Sequence, residues 1–116
     1  MTTDQDRLWA LEERFWTEGV KCARKMTAIN PVFVFPFPVG ILQGDKVWSE
    51  SSVAQRWRSV VMTERYLKQE KDVAVLAYRV SAERGDAPVY EAVCRSSYLH
   101  DDGEWLRMAH QQTPVN

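Results

Sequence analysis

The chain opens on a stretch in which Leu8, Leu11 and Phe15 recur at helical spacing, with Trp9 and Trp16 beside them. Thr2 or Thr3 is placed to cap its start and Gly19 to stop it, so the pattern predicts an amphipathic first helix. Val20 to Thr27 reads as a second, shorter helix that ends before Asn30-Pro31, because a residue preceding proline is pushed out of the helical region. The period then drops from 3.6 to 2. In Val32-Phe33-Val34-Phe35-Pro36-Phe37-Pro38 the three phenylalanines share one strand face, while Pro36 and Pro38 bring no N–H to a ladder. That run belongs at a sheet edge or a strand end. Ile41 to Gly44 is a short return segment, after which Ser49 caps a predicted third helix with Val53 and Trp57 one turn apart.

The remainder reads as sheet. Runs over Val60 to Lys68, Val73 to Glu83 and Val89 to His100 are joined by Gln69-Glu70-Lys71-Asp72 and Arg84-Gly85-Asp86-Ala87, and Asp101-Asp102-Gly103 turns into a last strand, Glu104 to Gln112. Long strands rich in Val and Tyr, joined by short turns, predict an antiparallel meander with helices on one face, an α+β architecture.

Register follows from the turns. A three-residue turn at Asp101-Asp102-Gly103 sets Tyr98 opposite Leu106, Ser96 opposite Met108 and Cys94 opposite His110. The same treatment of Gly85-Asp86-Ala87 sets Tyr78 opposite Cys94 and Leu76 opposite Ser96. One face then collects Leu76, Tyr78, Val80, Ala92, Cys94, Tyr98, Leu106, Met108 and His110; the other carries Arg79, Arg95, Ser97, Arg107 and Gln111 with Val75, Val93 and Trp105. Glu91 falls on the outer face and Glu64 is left undecided.

Composition narrows the classes. A chain of 116 residues, 45% hydrophobic, with 5 Gly and 5 Pro, is read as a single domain over 1–116 with one core. Fifteen Lys and Arg against 16 Asp and Glu leave a net charge of −1, which gives no field to draw nucleic acid. Cys22 and Cys94 form no CxxC pair and no cationic-apolar leader precedes them, so a reducing cytoplasm is expected. The longest apolar stretch, Pro31 to Leu42, is broken by prolines and falls short of the roughly 20 residues that span a bilayer.

The order of elements, two helices, a Phe/Pro-rich strand pair, a helix and a long meander, resembles the nuclear transport factor two-like superfamily. Gly103-Glu104-Trp105-Leu106-Arg107-Met108-Ala109-His110-Gln111-Gln112-Thr113-Pro114 is similar to the final strand of SnoaL-like and ketosteroid-isomerase-like proteins of a family of unknown function. The resemblance implies a cystatin-like cone, a curved sheet wrapped around helices, with a pocket at its wide end and dimers packed through outer sheet faces. Ketosteroid isomerase uses a carboxylate base in an Asp-Pro-x-Gly segment, which aligns here with Phe37-Pro38-Val39-Gly40. A phenyl ring accepts no proton, so that mechanism is not expected.

Three functional readings follow. The aromatics Trp16, Phe33, Phe35, Phe37, Trp48, Tyr78 and Tyr98, joined by Cys94, Met108 and His110, would line a pocket for a small apolar or aromatic molecule. Alternatively the same pocket holds an isomerase, cyclase or hydrolase, with His110 as base and Tyr78 or Tyr98 as proton donor. Tyr78, Cys94 and His110 fall in one row in this register, although a buried cysteine is more often packing than a nucleophile. The third reading is an association module whose pocket is filled by side chains. A homodimer through Val75, Val93 and Trp105 is expected in any case. Arg79, Arg95 and Arg107 would make an anion site only if they clustered. No metal or cofactor is indicated, since the only other histidine, His100, sits beside Asp101 and Asp102 at a turn.

Overall fold

A computed structural model describes residues 3–50 and 56–115. Helix α1, Asp4–Thr17, starts at a capping box in which Thr3 Oγ1 accepts from the Asp6 N–H and the Asp6 carboxylate accepts from the Thr3 N–H. Its buried stripe is Leu8, Glu12, Phe15 and Trp16, the spacing of one helix face. Gly19, at φ +87°, breaks the chain between α1 and α2, Val20–Lys25. Strands β1, Thr27–Phe35, and β2, Gly40–Gln43, form the hairpin in which Pro36 and Pro38 occupy the turn, so the proline run is a strand end as expected. No described helix is long and apolar enough to cross a membrane.

The described third helix ends at Ser49, where the reading starts one, and residues 51–55 of the predicted span lie outside the described residues. Helix α3 is Asp45–Ser49, entered through Gly44, and Ser49 closes it, its hydroxyl donating back to the Lys46 carbonyl. Val53 lies outside the described residues. Trp57 is not helical; its N–H donates to the Trp16 carbonyl at 3.0 Å and so ties the chain to the end of α1.

Strands β3, Ser59–Glu70, β4, Val73–Glu83, β5, Tyr90–Asp101, and β6, Glu104–Pro114, complete a six-stranded sheet in the order β2-β1-β6-β5-β4-β3. Every neighbouring pair is antiparallel except β1 with β6. The β3–β6 meander is joined to the β1–β2 hairpin by one parallel pair, β1 with β6, and the inner face of the sheet receives α1. The architecture is α+β, with the element order α-α-β-β-α-β-β-β-β.

The β4–β5 register agrees with the expectation: Tyr78 pairs with Cys94 and Leu76 with Ser96. The β5–β6 register does not. The turn has two residues, Asp102 and Gly103, both at positive φ as a tight hairpin turn demands, and Asp101 pairs with Glu104. A bulge then inserts Met108 between the Tyr98–Arg107 and Ser97–Ala109 pairs. Each one-residue offset flips the face that follows. Trp105 and Arg107 therefore turn inward, Leu106 and Met108 are only half-buried, and the second offset returns His110 to the inside. Ser96, not Cys94, stands opposite His110, and Cys94 faces Gln112.

Two apolar clusters result. The larger holds Phe15, Trp16, Phe33, Phe35, Met62, Tyr78, Val80 and Cys94, with Trp48, Trp57 and Tyr90 packed against it. The smaller holds Leu8, Ala74, Leu76, Tyr98 and Trp105. Trp105 is 6% exposed, so it belongs to this core and drops out of the outer-face patch proposed for a dimer. Val75 is half-buried and Val93 exposed on that face, where Val61 and Tyr66 of β3 join them.

Candidate functional site

Between the two clusters lies a buried polar network centred on a residue that the pattern reading passed over. Glu12 projects from the apolar stripe of α1 with no exposure at all. One carboxylate oxygen accepts from the Tyr78 hydroxyl at 2.5 Å and the Ser96 hydroxyl at 2.6 Å. The other accepts from the Tyr98 hydroxyl at 2.6 Å and the Arg107 guanidinium at 3.0 Å. An Arg107 N–H also donates to the Tyr98 hydroxyl oxygen, and Trp16 Nε1–H donates to the Tyr78 hydroxyl oxygen at 2.9 Å. The strands deliver these groups because Tyr78, Ser96, Tyr98, Arg107 and His110 all occupy inward positions of β4, β5 and β6.

The network fixes protonation. Burial alone would push the Glu12 carboxyl up, but the Arg107 charge and the His110 and Ser96 hydrogen bonds outweigh it and hold the group well below the usual carboxylate range. Arg107, fully buried, stays a cation because Tyr98 and Glu12 offset its loss of water. Its guanidinium carbon lies 4.2 Å from the Phe15 ring centroid and 5.0 Å from that of Tyr98, and its Nε and Nη1 have no partner among the described residues. Burial, reinforced by the Glu12 charge, raises the Tyr78 hydroxyl well above its usual value; Tyr98 is raised by burial too.

His110 is lowered by burial, which Glu12 opposes without reversing, so the imidazole is neutral at pH 7. Since Ser96 donates to Glu12, His110 Nδ1–H donates to Ser96 Oγ at 2.7 Å, and His110 Nε2 accepts from the Gln112 amide at 3.0 Å. Gln112 Oε1 in turn accepts from the half-buried Tyr90 hydroxyl at 3.1 Å. A chain of hydrogen bonds thus runs from Tyr90 to the buried carboxylate. Rings enclose the imidazole: the centroids of Phe15, Phe33, Phe35 and Trp16 lie 4.6, 5.5, 6.2 and 6.2 Å from it.

Of the residues expected at the site, Trp16, Phe33, Phe35, Tyr78, Tyr98, Cys94 and His110 are buried together in this interior, and Trp48 packs on Phe33 at 6.0 Å. Phe37 is not with them: at 96% exposure it stands at the β1–β2 turn, because Pro36 and Pro38 end the strand before its phase can carry it inward. Met108 sits half-buried at the bulge. The row of Tyr78, Cys94 and His110 is broken by the β6 offset, and burial pushes the Cys94 thiol far up, so it supplies no thiolate. Arg79, Arg95 and Arg107 do not cluster, since the first two stay on the outer face and Arg107 is inside. Glu64 is exposed at a bulge in β3, where its φ is +50°. Glu12 is the residue missed, and Arg107, expected on the outer face, is the one misplaced. The signal for the first is a glutamate four residues after Leu8 and three before Phe15, in the centre of an apolar helix face.

No protein-family model and no curated protein matches the chain. Solved structures do. A ketosteroid isomerase-like protein from Parabacteroides distasonis superposes with a TM-score of 0.86 at 13% identity, over 98% of this chain and 89% of that one. A nuclear-transport-factor-two-like protein from Cytophaga hutchinsonii gives 0.77 at 15% identity, over 98% and 100%. The association domain of CaMKII from C. elegans gives 0.73 at 13% identity, over 95% and 92%. With helices packed on the inner face of a curved six-stranded sheet and solved structures of this shape matching 97–98% of its length, the chain has the nuclear-transport-factor-two-like, cystatin-like fold.

Proposed function

We propose that this chain is an association module that works through its outer surface. The observation that carries this reading is that the buried carboxylate and imidazole are already satisfied from within. Both oxygens of Glu12 and both nitrogens of His110 are already engaged by the chain's own groups, and four aromatic rings pack around the imidazole. A ligand or substrate would have to displace partners that cost about 1–3 kcal/mol each to leave unsatisfied. Outside, the sheet exposes Val61 and Tyr66 on β3 and Val93 on β5, with half-buried Val75 on β4 between them, apolar positions suited to a second copy in a cytoplasmic homo-oligomer. The C. elegans domain of the same fold is named for association, which supports the same reading.

The test is molar mass by light scattering at micromolar concentration. The wild type is expected to run as a dimer or larger, and Val93→Glu with Tyr66→Glu, both on exposed positions, as a folded monomer. A monomeric wild type refutes the proposal. The enzyme reading keeps one specific observation in its favour: a neutral imidazole whose Nδ1 is oriented by Ser96 and Glu12, as a general base requires. It demands that Gln112 swing away from His110 Nε2, and Gln112→Ala would then increase, not abolish, access of small reagents to His110.

A further inference from the structure

Apart from the interior and the outer sheet face, the molecule carries an open groove of about 520 Å³ between α1, α2 and the β5–β6 turn. Its floor is apolar, formed by Leu11, Met26, Trp105 and Leu106. The backbone closes its base, since the Arg107 N–H donates to the Met26 carbonyl at 2.9 Å. Its rim is cationic. Arg7 and Arg14 stand two helical turns apart on one face of α1, about 10 Å along the axis, and Lys25 faces them from α2. Arg14 is paired with Glu18 at 2.9 Å, whereas Arg7 and Lys25 have no ion pair among the described residues. Glu104 is the one acid in the lining. The buried indole Nε1 of Trp105, which lines the groove, has no acceptor among the described residues.

We propose that this groove binds a small apolar molecule bearing a carboxylate. The volume lies in the range of small-molecule sites, roughly 300–1,000 Å³. Charge decides the class: in a chain whose net charge is −1, two free cations concentrated at the edge of an apolar floor complement an anion attached to a hydrophobic body. A neutral hydrocarbon would gain nothing from the solvated Arg7 and Lys25, and a bare phosphate would leave Leu11, Trp105 and Leu106 uncovered. Arg7 and Lys25 ride on solvent-facing positions of two separate helices, so they can converge on one carboxylate without disturbing the core.

The experiment titrates 1-naphthoate into the protein by calorimetry, with 1-naphthalenemethanol and inorganic phosphate as comparators. Saturable binding of naphthoate is expected, about tenfold tighter than the alcohol, the difference that one charge-assisted contact supplies. Replacing both rim cations, Arg7→Ala with Lys25→Ala, should erase that difference, and Ala10→Glu, which puts an acid on the exposed edge of the groove, should weaken naphthoate but not the alcohol. In a nitrogen-correlated NMR spectrum the Trp105 indole N–H should shift on titration while that of Trp57, outside the groove, stays put. Absence of saturable binding up to millimolar naphthoate overturns the proposal, as does equal affinity for alcohol and acid, tighter binding of phosphate than of naphthoate, or a shift at Trp57 instead of Trp105. None of these outcomes bears on molar mass, so this site and the association reading stand or fall separately.

Discussion

Replacing Glu12 by glutamine keeps the size of the side chain and removes one charge from a site with no solvent exposure. The guanidinium of Arg107, with no exposed surface, then lacks its counter-ion, and the amide NH₂ meets hydroxyls or guanidinium N–H groups that need an acceptor. Breaking a buried ion pair by removing one partner costs about 3–5 kcal/mol. A domain of this size is stable by about 5–15 kcal/mol in total, so Glu12→Gln should remove a fifth or more of it and lower Tm by about 10–20 °C. Urea unfolding followed by far-ultraviolet circular dichroism reads the change as a drop in midpoint at constant m-value. Removing the cation as well, in Glu12→Gln with Arg107→Met, takes away the stranded charge. The double variant should therefore be destabilised by about 2–3 kcal/mol less than the sum of the single variants. A Glu12→Gln variant within 1 kcal/mol of wild type, or a strictly additive cycle, would refute the claim that this pair organises the interior.

Two more outcomes follow from the same coordinates. His110 and Glu12 both have folded pKa values below their ordinary ones, so in each window the unfolded chain binds the extra proton and stability falls as pH drops, from about pH 6.5 downward for His110 and further below about pH 4.3 for Glu12; a denaturation midpoint that stays flat from pH 8 to pH 5 would contradict the burial of a neutral His110. Gly44→Ala places a Cβ 2.8 Å from Asn30 Oδ1 at φ +66°, whereas Gly85→Ala, at φ +53°, meets open space; in chemical denaturation the first should lose more stability than the roughly 1–2 kcal/mol that left-handed backbone alone imposes on both, and equal losses would rule out the clash.

Much of the fold is legible in the sequence because hydrophobic period and turn residues act locally. Leu8, Phe15 and Trp16 mark the buried face of α1, and Gly85 with its neighbours sets the β4–β5 register to the residue. What fails is whatever depends on an insertion with no side-chain signature. Asp101-Asp102-Gly103 suits a two- or a three-residue turn equally well, and nothing about Met108 announces a bulge, yet those two offsets decide that Trp105 and Arg107 face inward. Of the candidate site, His110, Tyr78 and Tyr98 were readable as inward polar groups, since the two offsets restore His110 to the same side. Glu12 and Arg107 were not, because each is a charged residue whose burial makes sense only beside the other, and they are 95 positions apart. The short helix before Ser49 went unread for a simpler reason: it has five residues, too few for a hydrophobic period, and Gly44 at φ +66° and Asp45 in its first turn are its only local marks.

The place of Glu12 on α1 also bears on how that helix finds its seat. Leu8, Phe15 and Trp16 present an oily stripe, and oil alone grips almost as well when a helix slips along its axis by one turn, about 5.4 Å. Four directional donors from three strands do not tolerate such a slip, since moving the carboxylate by half that distance empties every one of them. Glu12 thus acts as a keyed dowel: apolar contact draws α1 onto the sheet, and the carboxylate allows a single depth and rotation. Without the key, α1 would stay attached but dock in several positions, and the interior would lose its uniqueness before it lost its compactness.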